Sequence, residues 1–326
     1  MSKPGGPEVL EYMEIATPSP SPTQVLVKAH SIGVNMPEVL VRKGTYAWMP
    51  PLPTTPGIEM SGTVTEVGAE VKNFSVGDRV YVSARELTHR CGCYAEYIAV
   101  EEQALFRVAA DADLEPLATL ASYQVAWHLL NSATRGFQYE SVIVTTAAGG
   151  IGSACVQLAK AAGKRVIAVA SSPEKVKFAR AQGAEAGVAY RDDDWSEQLH
   201  AATGARGVDL ILDAVLGPRF PDLFKHLAPL GLVVLYGRLA GEPDPAAVYI
   251  AMRARLGDSL GLRLFSMHTF DDDVETRRRC TLALLELLAQ GAIQPPIHDR
   301  IPLAEAARAH TLLESGKVLG KLVLKP

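Results

Sequence analysis

The stretch SVIVTTAAGGIGSACVQLAKAAG, residues 141–163, decides how the chain is read. Its first seven residues are apolar or β-branched at almost every position, the pattern of a strand covered on both faces within a parallel sheet. Gly149, Gly150, Ile151 and Gly152 follow, and then apolar residues at helical spacing. Strand, glycine-rich turn and helix in this order match the dinucleotide-binding fingerprint, with Ala147 where its first glycine usually stands. Gly149 and Gly150 let the backbone approach a pyrophosphate, and Gly152 lets the helix press against the strand. The helix N-terminus then offers unpaired N–H groups and a partial positive charge to the phosphates. A glycine turn alone reads equally well as a tight loop; the buried strand before it and the amphipathic helix after it select the phosphate-binding reading.

Downstream, strands are expected at RVIAVAS (165–171), GVAY (187–190), VDLILDAV (208–215), LVVLYG (232–237) and LGLRLFSM (260–267). Helices are expected over 150–162, 173–182, 194–203 and 219–228. Strict alternation of such strands with helices predicts an α/β fold with a doubly wound parallel sheet of Rossmann type. The tip of the second strand selects the dinucleotide. An acid there would bind a ribose 2′-hydroxyl, whereas this chain has Ser171 and Ser172, with Lys175 one helical turn on. Two hydroxyls and an ammonium suit a 2′-phosphate, which predicts NADPH. Glu174, the nearest acid, lies inside the helix and is expected to face water; Lys175 has a plainer reading as an exposed helix lysine.

Upstream the texture is different. Short alternating runs at 24–30, 62–68, 77–83 and 94–100, separated by Pro and Gly, predict half-buried antiparallel strands. Near Asp113 this gives way to a helix over 117–131, and the chain closes with helices at 274–290 and 302–315 and a strand at 321–325. A length of 326 residues predicts two domains. The net charge of −4 offers no basic field for nucleic acid or an anionic membrane. No apolar run reaches the roughly 18 residues of a membrane helix, and the first residues do not resemble a signal peptide. The four cysteines, Cys91, Cys93, Cys155 and Cys280, are too sparse for a disulfide framework. They fit a reducing compartment, and a cytoplasmic protein is expected.

Several segments together are similar to the zinc-independent quinone oxidoreductases, the zeta-crystallin-like branch of the medium-chain dehydrogenase/reductase superfamily. They are KPGGPEVLEY (3–12), GVNMPEVLVRKGTY (33–46), PLPTTPGIEMSGTVTEVG (51–68), GDRV (77–80), YAEY (94–97), AAGGIG (147–152) and GKLVLKP (320–326). The resemblance implies a GroES-like, mostly antiparallel β domain built from residues 1–117 and 268–326, around a Rossmann NADPH-binding domain at 118–267, with the active site in the cleft between them. It also implies that Tyr190 packs beside the adenosine 2′-phosphate and that Gly237 lies near the nicotinamide ribose. Phe265, Ser266 and Met267 would hold the carboxamide through their backbone. Asn35 and Tyr46 would line the nicotinamide and the substrate pocket, and the 260–267 strand would pair with its copy in a homodimer. Two departures stand out: only Met1 and Ser2 precede the segment before which the family has a further strand, and Val125 replaces a frequent threonine.

Zinc-dependent members of the superfamily carry a cysteine and a Gly-His-Glu where this chain has Asn35 and Gly57-Ile58-Glu59. His89, Cys91 and Cys93 supply three potential ligands with no fourth nearby, so no metal is expected. Without zinc, the fitting reaction is one that hydride transfer nearly completes, as with quinones and other conjugated carbonyls. Negative charge develops on an oxygen that the Tyr46 hydroxyl or the Asn35 amide could meet. Each has a plainer alternative: Tyr46 as a positioning or lid residue, Asn35 as a cap on the loop backbone. A 2-alkenal or enoyl-thioester reductase is the alternative substrate reading, and a non-catalytic NADPH-binding protein the alternative class.

Overall fold

The computed structural model describes residues 1–215 and 217–326, and the chain divides into two compact units. The first comprises Met1–Ser122 and Thr281–Pro326, the second Tyr123–Cys280. Residues 268–280, which the resemblance assigns to the first domain, pack with the second.

The first unit is a seven-stranded sheet. Its strands are β1 (Gln24–Val34), β2 (Glu59–Val67), β3 (Arg79–Ser83), β4 (Tyr97–Glu101) and β5 (Leu105–Arg107). The far end of the chain adds β12 (Ile297–Pro302) and β13 (Lys321–Lys325). The order is β12-β13-β1-β2-β3-β5, with β4 also on β1, and every pair but β12–β13 is antiparallel. β1 serves two neighbours along one edge: Gln24–Lys28 pair with β4 and Ile32–Val34 with β13. Its register against β2 shifts at Ala29/Ser31, and such an irregularity bends a strand and lets its halves pair differently. Val25, Val27, Ile32, Met60, Val80, Leu322 and Leu324 fill the core on the inward face. β12, which the sequence does not announce, alternates half-buried and exposed residues at the sheet edge.

The second unit is a six-stranded, fully parallel sheet. It contains β6 (Ser141–Thr145), β7 (Arg165–Ala170), β8 (Ala186–Ala189), β9 (Val208–Asp213), β10 (Leu227–Leu235) and β11 (Gly261–Leu264). The order β11-β10-β9-β6-β7-β8 is the doubly wound arrangement, whose strand order reverses beside β6. All five residues of β6 and all six of β9 are buried, including Asp209 and Asp213 of β9, in keeping with the apolar residues that fill most of both strands. Helices Gly150–Ala161, Pro173–Ala181 and Trp195–Thr203 fall where expected.

Three of the expected elements take a different form. The helix expected over 219–228 is one turn, Phe220–Leu223, followed by a 3-10 turn, because β10 starts at Leu227, earlier than its apolar run. The helix expected over 117–131 breaks after Leu117 and restarts at Leu120, its first segment capped by Asp113. The strand expected over 260–267 ends at Leu264, and Met267–Phe270 form a 3-10 turn. Among the described residues no helix is long and apolar enough to cross a membrane.

Candidate active site

The glycine turn leaves β6 at Thr146, whose φ of 49° is left-handed despite its β-branched side chain. The Gly149 N–H bonds the Thr146 carbonyl at 2.9 Å, and the helix begins at Gly150. A Cβ on Gly152 would collide with the carbonyl oxygen of Thr146, so the close packing of turn and helix requires glycine there. Gly149 is the N-cap and supplies no side-chain acceptor, so the first N–H groups remain available to an anion. At Gly237 a Cβ would stand 2.8 Å from the Ala214 carbonyl, so this loop too approaches backbone closely.

Beyond β7 the predicted phosphate-binding residues come together. Ser172 caps the next helix, accepting a bond from the Lys175 N–H at 3.4 Å, and the Lys175 ammonium donates to the Ser171 hydroxyl at 2.9 Å. Tyr190 follows β8, and its N–H bonds the Ala170 carbonyl at 2.9 Å, which sets it beside Ser171. Partial burial lowers the Lys175 pKa, and the positive charge of Arg191 lowers it further. Arg191 is a cation that the sequence reading missed, its only signal being adjacency to Tyr190. Glu174, in the first turn of the same helix, is exposed. Arg219 donates to the Tyr190 carbonyl and lies over the Trp195 ring, bracing this strand end. Phe265 continues from β11, its N–H on the Leu235 carbonyl at 2.8 Å, and Ser266 caps the turn that starts at Met267.

In the first unit, Asn35 ends β1 and begins the helix Met36–Lys43; Tyr46 follows that helix in a loop, half-buried and tilted against Trp48 at 5.6 Å. The sequence leaves two roles open for the Asn35 amide, and this geometry supplies neither. Although Asn35 is the helix N-cap, its side chain makes no capping bond. Its amide nitrogen donates to Glu59 at 3.0 Å and to Glu38 at 3.4 Å, and its oxygen accepts from the Lys321 ammonium. Both N–H bonds of the amide are thus engaged, which leaves none for an acceptor oxygen.

Strand register assembles this cluster. Val34 pairs with Leu322, which brings Lys321 level with Asn35, and Ile32 pairs with Met60, which brings Glu59 level with Gly33. A Cβ on Gly33 would collide with the Glu59 side chain, so glycine makes the room. Glu59 also accepts from the Ala121 N–H at 2.6 Å and the Tyr81 hydroxyl at 3.4 Å. Burial pushes the pKa of Glu38 up to about 7 and that of Glu59 in the same direction. The sequence carries only a faint signal for the cluster: charged residues at positions in β2 and β13 that strand alternation turns inward. Among the described residues no three His, Cys, Asp or Glu side chains are grouped as a metal site would require.

Fold and glycine turn together define an oxidoreductase of the medium-chain dehydrogenase/reductase class. Residues 21–110 match the family model of the alcohol dehydrogenase GroES-like domain, and residues 150–274 that of the zinc-binding dehydrogenases. A quinone oxidoreductase of Pseudomonas aeruginosa is 32% identical over 323 residues, covering 99% of this chain and 97% of that protein. The Escherichia coli quinone oxidoreductase, solved in complex with NADPH, superposes with a TM-score of 0.86 at 28% identity, over 100% of this chain and 98% of that one. An NAD-dependent alcohol dehydrogenase superposes with the same TM-score of 0.86, also at 28% identity and over 100% and 98% of the two chains. The chain belongs to the quinone oxidoreductase family.

Proposed function

We propose that this protein is a cytoplasmic, homodimeric NADPH-dependent reductase of quinones and related conjugated carbonyls, and that it works without a metal ion. Because fold similarity extends equally to an NAD-dependent enzyme, the choice of cofactor rests on residues. The observation that carries it is the Lys175 ammonium on the Ser171 hydroxyl, with Arg191 adding positive charge nearby. When bound, NADPH supplies the hydride. Gly149, Gly150, Ile151 and Gly152 admit the pyrophosphate to the helix N-terminus. Ser171, Ser172, Lys175 and Tyr190 hold the 2′-phosphate, and Gly237 leaves room for the nicotinamide ribose. The backbone of Phe265, Ser266 and Met267 orients the carboxamide. Tyr46 meets the acceptor oxygen with its hydroxyl; Asn35 forms part of the pocket wall and acts by its fixed position.

A metal-free reaction is supported by Asn35 and Ile58 at the ligand positions of zinc-dependent relatives, and by Lys321. A buried ammonium on the Asn35 oxygen opposes a dication at the same place. The test is NADPH oxidation after exhaustive chelation, with an ortho-quinone, a 2-alkenal and a crotonyl thioester as acceptors. We expect turnover of the quinone that chelation leaves intact. Preference for the thioester would move the enzyme to the enoyl reductases, and cofactor binding without turnover would make it a binding protein. One tightly held zinc per chain would end the metal-free reading.

A further inference from the structure

Glu38, Glu59 and Lys321 are 1%, 0% and 3% exposed, and the Asn35 amide bridges the two carboxyl groups. With both acids ionised the set carries one uncompensated negative charge, a costly state in a protein interior. A single added proton makes it neutral, and the donors show where that proton belongs. Four reach Glu59: the Asn35 amide, the Lys321 ammonium at 3.4 Å, the Ala121 N–H and the Tyr81 hydroxyl. Among the described residues Glu38 is reached from other residues by two donors, the Asn35 amide at 3.4 Å and the Ile58 N–H at 3.3 Å, both on Oε1, with its own backbone N–H acting on it as well. Its Oε2 is buried with no partner, a position that suits the hydroxyl of a carboxylic acid better than half of a carboxylate.

The other groups facing Glu38 do not replace that proton. Cys93 and Tyr94 are buried, and desolvation together with the two acids holds both in their neutral forms. The Tyr94 hydroxyl pairs with Nε2 of His310, from the helix Ala306–Glu314, at 3.1 Å. Burial and the charge of Arg42 lower the pKa of that imidazole to about 4. Arg42, on the same helix as Glu38, is bound to Glu314 at 2.7 Å.

We propose that Glu38 is a positioning residue of the reaction: a carboxylic acid whose retained proton keeps the cluster around Asn35 neutral while negative charge builds on the acceptor. Loss of that proton places a second negative charge behind the pocket wall, where the low dielectric makes it oppose the developing oxyanion. The upward displacement of Glu38 by burial, to about 7, sets the pH at which this happens. The role rests on the reading that Asn35 lines the acceptor pocket.

Two measurements test it. The first is kcat for a quinone from about pH 5.5 to about 9, with NADPH saturating. Wild type should lose about fivefold in kcat from pH 7 to pH 8, the change in protonated fraction of a group titrating near 7. Glu38→Gln keeps the neutral form at every pH, so it should retain the acid-side rate and lack the fall, with KM for NADPH unchanged. Glu38→Asp should restore a fall. The second measurement is the infrared carbonyl band of a protonated carboxyl in the cofactor-free protein. A component of it should disappear from wild type as pH rises through about 7, and that component should be missing from Glu38→Gln. An unchanged pH profile in Glu38→Gln, or the absence of that band from wild type at pH 6, overturns the proposal. Failure to turn over any conjugated acceptor would instead sink the functional reading, and the infrared band would still report whether Glu38 holds its proton.

Discussion

Lys175 holds the hydroxyl of Ser171 at 2.9 Å, and Arg191 adds a second positive charge that acts on it. An anion beside these two cations gains from both charges. Lys175→Ala should therefore weaken NADPH binding by about 1.5–3 kcal/mol and leave NADH binding almost unchanged, the scale of a charge-assisted hydrogen bond. Titration of both cofactors checks this, and an equal loss for the two would refute the assignment. The grouping of Ser171, Ser172 and Lys175 was legible in the sequence because the three fall within about one helical turn. Glu38, Glu59 and Lys321 were not, since Lys321 meets Glu59 across 262 residues of chain and no local pattern announces such a partner. Buried histidines give a second prediction. Burial lowers His226 and His310 to about 4, with neighbouring cations acting in the same direction. Between their unfolded value of roughly 6.5 and about 4, the unfolded chain binds more protons, so their contribution to stability is complete above 6.5 and is lost as pH falls. Glu38 has the opposite sign: its raised pKa favours the folded state most below about 4.5 and loses that advantage as pH rises towards 7. Urea midpoints from pH 7 to pH 4 should decline less steeply in His310→Gln than in wild type; parallel curves would show that His310 is not a proton-linked site.

At the scale of the element, the glycine turn is the most constrained piece of backbone. Gly152→Ala sets a methyl against the Thr146 carbonyl, where backbone rather than a flexible side chain must move. We expect a loss of about 1–3 kcal/mol in stability, the usual cost of overpacking, with NADPH affinity falling at least about tenfold. Denaturation and cofactor titration on the same variant test this, and unchanged affinity would separate the turn from the phosphate site. The parallel strands were legible to within a few residues at most ends because burial on both faces writes an unbroken apolar run. β10 is the exception at its start: Leu227 and Ala228 read as the end of a helix, Pro229-Leu230-Gly231 interrupts the apolar run, and Leu230 has a φ of 63°. The strand is recovered by pairing, Leu227 with Val208 and Leu232 with Leu210, which no local signal encodes. The helix Pro245–Arg253 was missed for a different reason. Its inward face, Val248, Ala251 and Met252, is only partly buried, and apolar Tyr249 and Ile250 lie exposed beside it, so the inward face does not stand out in the sequence.

At the scale of the whole molecule the open question is what covers β11. The strand is outermost in its sheet and among the described residues pairs only with β10, and Leu264 is 77% exposed. Leu256, Tyr249 and Ile250 add apolar surface in the segment leading to it. An open apolar edge invites pairing, and natural proteins cover it, charge it or use it. Arg263 is the strand's only charge and donates to the Ala133 carbonyl, so it does not guard the edge. A second copy running antiparallel across a two-fold axis would satisfy the edge and bury these side chains in one self-complementary contact. The hydrogen-bond phase shows how to test this without damaging the sheet. Because the Phe265 N–H bonds Leu235, the N–H of Leu264 points away from β10, towards the open side. Leu264→Pro therefore removes a donor from the open edge while the bonds to β10 remain. We expect wild type to sediment as a dimer at micromolar concentration and Leu264→Pro as a monomer with an unchanged far-ultraviolet spectrum. NADPH binding should weaken in the variant, since Phe265 to Met267 continue the altered strand. A wild-type monomer would end the homodimer reading; a dimeric Leu264→Pro protein would move the contact to another face.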